Sequence, residues 1–221
     1  MSKKYIKLKS FSKIFYSASN KRNVLFQDQD IVFESGRNIG LLGMNGCGKT
    51  TLLKIISKSE SLSKGVLDSN ASISWPIGIY AGLDPFLTGR QNIVFVSNLL
   101  GIKDIDELIY EVATQAELEE SMDLQVRYYS SGMFSRLSFF LCMLIEFDFY
   151  LIDEVTSVGD FKFQEKSSQL LNEVSKKSTI ILTSHNPENI RANCDIACVI
   201  KNGIISRMYE VDEAIHIYNT Q

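Results

Sequence analysis

Proline is scarce, three residues in 221, and none sits in the interior of an expected helix. Repeats and low-complexity tracts are absent, so a spacer or linker composition is excluded. Long apolar runs are missing as well. The longest uninterrupted one, Phe139 to Ile145, is far short of the ~20 residues that cross a bilayer. No signal-peptide pattern precedes the first expected strand. There is no excess of positive charge: 23 Lys and Arg stand against 26 Asp and Glu, a net charge of −3, with a pI near 5.5. That balance excludes nucleic acid as a bulk electrostatic partner. The basic residues near the start read as a solvated strand edge. The four cysteines, Cys47, Cys142, Cys194 and Cys198, fall into no metal-ligand spacing. They read as reduced cytosolic thiols. What remains is a chain with 45% hydrophobic residues, enough to bury a core.

Against that background one segment stands out. Gly43-Met44-Asn45-Gly46-Cys47-Gly48-Lys49-Thr50-Thr51 is the G-x-x-x-x-G-K-[ST] phosphate-binding loop. An expected buried strand, Asn38 to Leu42, precedes it, and an apolar-faced helix, Thr51 to Ile56, follows. The glycines let backbone N–H groups curl around phosphate oxygens, and the helix N-terminus adds its dipole. Lys49 reaches the β- and γ-phosphates, and the Thr50 hydroxyl is a ligand for Mg²⁺.

Short strands are expected at residues 5–8, 23–26, 31–34, 66–68 and 72–75. Thr88-Gly89-Arg90-Gln91 is a capping box that opens a helix ending near Gly101. Helices are also expected at about 104–118 and 133–145. Strand–helix alternation then returns, with strands at 149–152, 179–183 and 196–200 and helices at 161–175 and 186–193. Phe149 to Glu154 is an apolar strand ending in two acids, the Walker B pattern of nucleotide hydrolases. Asp153 is placed to hold Mg²⁺, and Glu154 to polarise the attacking water. His185 follows the next strand and is the candidate γ-phosphate contact. His216, in the C-terminal helix, is read as structural.

The order P-loop, helical insert, Tyr129-Ser130-Ser131-Gly132-Met133, Walker B, Ser157-Val158-Gly159-Asp160, His185 resembles the ATP-binding cassette of ABC transporters. Tyr129 to Met133 stands where that family carries L-S-G-G-Q. The serine and second glycine match, whereas Tyr129, Ser131 and Met133 depart. The physics survives those changes, because Ser130 offers a hydroxyl at a helix N-terminus whose dipole favours phosphate. Ser74-Trp75-Pro76-Ile77-Gly78, Leu87 to Asn92 and Leu151 to Asp160 are similar to the ATPase subunits of capsular polysaccharide exporters. Related O-antigen and teichoic-acid exporters share much of this pattern.

The resemblance implies an α/β P-loop NTPase fold with an antiparallel β subdomain and an inserted α-helical subdomain. It implies a single nucleotide-binding domain, with its core at about 1–75 and 146–221 and the helical subdomain at about 76–145. ATP and Mg²⁺ are the implied ligands. The implied partners are a second copy of the chain, head to tail, and a polytopic permease, through which alone the chain contacts the membrane. Its implied place is the cytoplasmic face of the bacterial plasma membrane. Ser130 and Gly132 of one copy would cover ATP held by the P-loop of the other, and Asp160 would signal across the interface. Phe15, with Tyr16 as the alternative, would stack on adenine. The glutamine that most cassettes carry near residues 78–80 is missing from Gly78-Ile79-Tyr80-Ala81-Gly82. A docking groove for the permease is expected near Tyr80, Leu83 and Phe86. A soluble cassette ATPase acting on nucleic acid or ribosomes is disfavoured, since such proteins generally carry two cassettes or long coiled coils.

Overall fold

A computed structural model describes residues 3–17, 20–77, 82–153 and 161–220, with only the backbone at 161 and 162. Its elements are β1 (Tyr5–Tyr16), β2 (Arg22–Glu34), β3 (Ile39–Leu42), α1 (Lys49–Ile56), β4 (Lys64–Ser69), β5 (Ile73–Ile77), α2 (Gly89–Leu100), α3 (Ile105–Ala116), α4 (Ser131–Leu144), β6 (Phe149–Asp153), α5 (Phe161–Ser175), β7 (Thr179–Ser184), α6 (Pro187–Asn193), β8 (Ile196–Lys201), β9 (Ile204–Ile205), β10 (Tyr209–Glu210) and α7 (Val211–Asn219).

Two compact units share these elements. The first spans Met1–Pro76, Phe147–Glu154 and Ser175–Gln221, in its described residues. It contains an antiparallel sheet ordered β2-β1-β4 and a second sheet ordered β10-β8-β3-β7-β6-β5, with β9 against β8. Strands β8, β3, β7 and β6 run parallel. Parallel strands joined by helices are covered on both faces, which is why β3, β6 and β7 are apolar and buried along their length. Pro76 sits in β5, at the end of the strand order, where a missing N–H is tolerated. The core of this unit joins Ile6, Phe11, Phe26, Phe33, Leu41, Leu52, Leu53, Phe149 and Ile181 among others.

Where the sequence reading expects 5–8, 23–26 and 31–34 as separate strands, β1 and β2 are long strands broken by bulges. Ser10 and Asp28 take φ 44° and 48°. Ser10 N–H bonds to Asp30 Oδ1 (2.8 Å) and Asp28 N–H to Ser12 Oγ (3.0 Å). Each bulge resets the inward–outward alternation, so polar residues interrupt the pattern without ending the ladder.

The second unit comprises Ile77–Glu146 and the described part of Val155–Val174. It is helical. The capping box forms: Gln91 N–H bonds to Thr88 Oγ1 (3.1 Å), and Thr88 N–H to Gln91 Oε1 (2.9 Å). Helix α2 ends at Gly101, whose φ of 71° suits glycine. Helix α5 belongs with this unit and not with the core, where the sequence reading puts residues 161–175. Phe163 packs edge-on against Phe139 and Phe140 of α4, and Lys166 bonds to Glu117 (2.9 Å). Among the described residues no helix is long and apolar enough to cross a membrane.

The four cysteines are free thiols. Burial pushes the Cys194 and Cys198 thiols up to about 12, so both stay neutral and act as small apolar side chains.

Thr88→Ala removes the acceptor for Gln91 N–H and is expected to cost about 1 kcal/mol of stability. Urea unfolding checks this; an unchanged midpoint contradicts a stabilising role for the box.

Candidate nucleotide-binding site

The P-loop joins the C-terminal end of β3 to α1, as the sequence reading expects. Gly46 and Gly48 take φ 80° and 110°. At Gly48 a Cβ would also lie 2.7 Å from the Phe26 ring, so only glycine lets the loop turn into the helix there. Helix α1 has no side-chain cap at this end. Its first N–H groups, which no intrahelical carbonyl can meet, thus have no side-chain cap either and suit an anion. Lys49 is buried, and its Nζ donates to the Gly43 carbonyl (2.6 Å) and the Met44 carbonyl (3.2 Å). The ammonium is thus held inside the curve of the loop, next to Asn45, Gly46 and Cys47.

Thr50 and Asp153 come together. Thr50 Oγ1 donates to Asp153 Oδ2 at 2.6 Å. A second hydroxyl, that of Thr183, donates to Asp153 Oδ1. The parallel register pairs Asp153 directly with Thr183. Asp153 is 7% exposed and Thr183 fully buried, so the carboxylate is satisfied from both sides. The sequence reading places Thr183 at the end of the strand 179–183 and assigns it no role. Its place opposite Asp153 depends on strand register, which no local motif announces. Thr50 Oγ1 and Asp153 Oδ2 are hard oxygen donors within reach of one another, a pair that fits a divalent cation.

His185 follows β7 and is exposed. Its carbonyl accepts from Tyr218 of α7 (3.3 Å). His216 is exposed on α7. Phe15 lies in β1 opposite Asn23 and is 39% exposed. The Lys13 ammonium stands 4.7 Å from its ring centroid, while Lys13 also bonds to Glu60 (2.5 Å) and to the Ser61 carbonyl (2.8 Å). A cavity of about 460 Å³ opens beside the loop, lined by Val24, Leu25, Met44, Cys47, Ile200 and Tyr218 among others. That is within the size range of small-molecule sites. Glu154, Asp160 and Tyr80 lie outside the described residues.

Ser130 and Gly132 belong to the second unit. Ser130 caps α4, its Oγ accepting from Met133 N–H (3.2 Å). A Cβ at Gly132 would meet nothing closer than Ser130 Oγ at 3.9 Å. Glycine inside a helix costs about 1 kcal/mol relative to alanine, and no packing among the described residues requires it here. With no Cβ at Gly132, the first turn of α4 leaves room for a close approach from outside. Tyr129, which replaces the family leucine, is half-buried and donates to the Ser121 carbonyl (2.8 Å). Burial and nearby Asp123 hold its phenol above the usual value, so it remains a neutral donor.

A phosphate loop, a strand-end aspartate bonded to the loop threonine, and a capped serine helix in a separate helical unit define the class of ATP-binding cassettes. The ABC transporter family profile matches residues 26–157, and the chain belongs to that family. It is 40% identical over 206 residues to the polysialic acid transport ATP-binding protein KpsT of Escherichia coli, covering 93% of this chain and 92% of that protein. It is 37% identical to the capsule polysaccharide export ATP-binding protein CtrD of Neisseria meningitidis serogroup B, covering 97% and 99%. Its fold is similar, with TM-score 0.78 and 19% identity over 93% and 98% of the chains, to the cassette MJ0796 in a dimeric post-hydrolysis state bound to ADP and Pi.

Thr183→Val keeps the side-chain shape but removes one donor to Asp153. It is expected to raise the Mg²⁺ concentration for half-maximal ATPase about 10- to 100-fold, the usual cost of losing a group that orients a metal ligand. Thr183→Ser restores the donor and should restore the wild-type requirement. An unchanged Mg²⁺ requirement in the valine variant contradicts the role given to Thr183.

Proposed function

We propose that the chain is the ATP-hydrolysing subunit of an exporter of capsular polysaccharide, acting on a separate polytopic permease at the cytoplasmic face of the bacterial plasma membrane. The observation that carries this reading is the Lys49, Thr50 and Asp153 site in a chain that matches the polysialic acid transport protein across 93% of its length.

In this reading the P-loop amides and Lys49 neutralise the β- and γ-phosphates of ATP. Thr50 and Asp153 would hold Mg²⁺, which when bound supplies further positive charge at the phosphate oxygens. Glu154 takes a proton from the attacking water, and His185 contacts the γ-phosphate. Phe15 stacks on adenine with the ring face that Lys13 leaves open. Stacking of this kind contributes about 1–3 kcal/mol.

One chain supplies one P-loop and one serine helix, so a closed site needs a second copy. Lys49 covers one side of the triphosphate, and the N-terminus of α4, with Ser130 and Gly132, covers the other from the partner. Asp160 acts across that interface. ATP then holds the two copies shut, and the like-charged products of hydrolysis drive them apart. That motion works the permease, which docks near Leu83 and Phe86. Leu83 is half-buried and Phe86 exposed.

Deleting the gene is expected to leave polysaccharide synthesis running while polymer accumulates in the cytoplasm. A strain carrying only Glu154→Gln should behave alike, with turnover of the purified subunit lowered ~10²–10⁴-fold, the range for losing a general base. Immunofluorescence of surface capsule checks both. Normal surface capsule in the deletion strain would remove the export role.

A further inference from the structure

The helical unit presents an arginine beside two exposed aromatic rings. The Arg127 guanidinium lies 5.4 Å from the Phe86 ring centroid and 4.7 Å from that of Tyr128. Phe86 is 64% exposed and Tyr128 67%. Exposed rings of this size cost solvation unless something covers them.

This is not a loose loop tip. Asn92 is 1% exposed. Its side chain accepts from Asp84 N–H (2.8 Å) and donates to the carbonyls of Asp84 (3.1 Å), Leu87 (3.4 Å) and Thr88 (2.9 Å). Phe86 N–H bonds to Asp84 Oδ1 at 2.8 Å. Val126 N–H and Arg127 N–H bond to the carbonyls of Leu87 and Pro85, each at 2.9 Å. Two segments distant in sequence are thereby fixed, and the three side chains stand pre-ordered, which lowers the entropy lost when a partner binds.

The charge of Arg127 is unmatched among the described residues: it makes no ion pair with any of them. Asp123 is bonded to Arg90 (2.8 Å), and Asp84 accepts from the Phe86 backbone. Among the described residues the forked N–H groups of the guanidinium meet no hydrogen-bond acceptor. A carboxylate matches that fork with two parallel bonds. Exposed Glu119, Glu120 and Asp123 lie just upstream in the chain and repel a polyanion, so a single carboxylate beside apolar atoms fits better than a phosphate chain.

We propose that Phe86, Arg127 and Tyr128 form a socket for a cytoplasmic segment of the permease, seating an Asp or Glu on Arg127 and apolar atoms against the two rings. This rests on the exporter reading and deepens it, by giving the partner segment its chemistry. Arg127 lies three residues before Ser130, and Tyr129 between them is tied to the Ser121 carbonyl. A load on the socket therefore bears directly on the N-terminus of α4.

The test uses the chain co-expressed with the affinity-tagged permease of its own capsule locus. The wild-type chain should be retained on the permease in detergent. Arg127→Glu should lower retention by about thirty-fold or more, as expected for reversing one partner of a desolvated charge pair, while the basal ATPase of the purified variant is unchanged. Arg127→Lys should fall between the two. Reversing one Asp or Glu in the permease's cytoplasmic loops to Arg should restore retention of Arg127→Glu. If Arg127→Glu loses basal ATPase through misfolding, Arg127→Gln is read in its place, with the same expected loss. Equal retention of wild type and variant, or failure of every carboxylate reversal to restore it, overturns the socket. Loss of self-association with retention intact assigns the surface to a second copy and also overturns it. A wild-type chain that no permease retains removes the exporter reading itself, and the socket with it.

Discussion

The buried carboxylate of Asp153 ties three segments that are far apart in sequence. Thr50 comes from the helix after the P-loop, Asp153 from the end of β6, and Thr183 from the end of β7. A carboxylate with so little exposure is costly unless its lone pairs are met. Two hydroxyl donors meet them, one from each flank. This arrangement holds only in one strand register. A slip of one residue between β6 and β7 would turn Asp153 or Thr183 to the opposite face of the sheet. The apolar strands β3, β6 and β7 are thus more than filling. They hold the ends of three chain segments at one spot, and the phosphate loop hangs from that spot.

Lys49 shows the same economy. Its ammonium is buried yet bonded to two carbonyls of its own loop, so the charge is kept where phosphate oxygens belong and is not left unpaired. The carbonyl bonds hold the side chain without neutralising its charge, so it keeps its attraction for an anion. The helical unit applies a different device. Asn92 and the capping box at Thr88 fix a loop on which the exposed Phe86 stands, and the exposed Tyr128 comes a few residues before the N-terminus of α4. The first unit therefore gathers polar groups inward around phosphate chemistry. The second holds aromatic groups outward.

The parts of the site that are contiguous in sequence were legible in it. Gly43 to Thr51 carries its own turn chemistry, and the apolar run before Asp153 places that aspartate at a strand end. Thr183 was not legible as an Asp153 partner, because its role comes from pairing between strands. The length of β1 and β2 was hidden by bulges at Ser10 and Asp28, where polar residues bond across the ladder and interrupt the two-residue period. The two-residue strands β9 and β10 are too short to leave a pattern. Helix α5 reads as one more helix of the alternating core, whereas its contacts from Phe163 and Lys166 tie it to the helical unit. The aromatic pair beside Arg127 joins residues some forty positions apart, roughly ten times the reach of any local helix or turn rule.

The central claim is that one ATP is enclosed by the P-loop of one copy and the serine helix of another. The most direct measurement is a structure of the Glu154→Gln protein with ATP and Mg²⁺. It is expected to show a head-to-tail pair, with the triphosphate on Lys49 and Thr50 of one chain and Ser130 of the other. Nucleotide contacted by Ser130 of the same chain, or bound away from Lys49, would contradict the account.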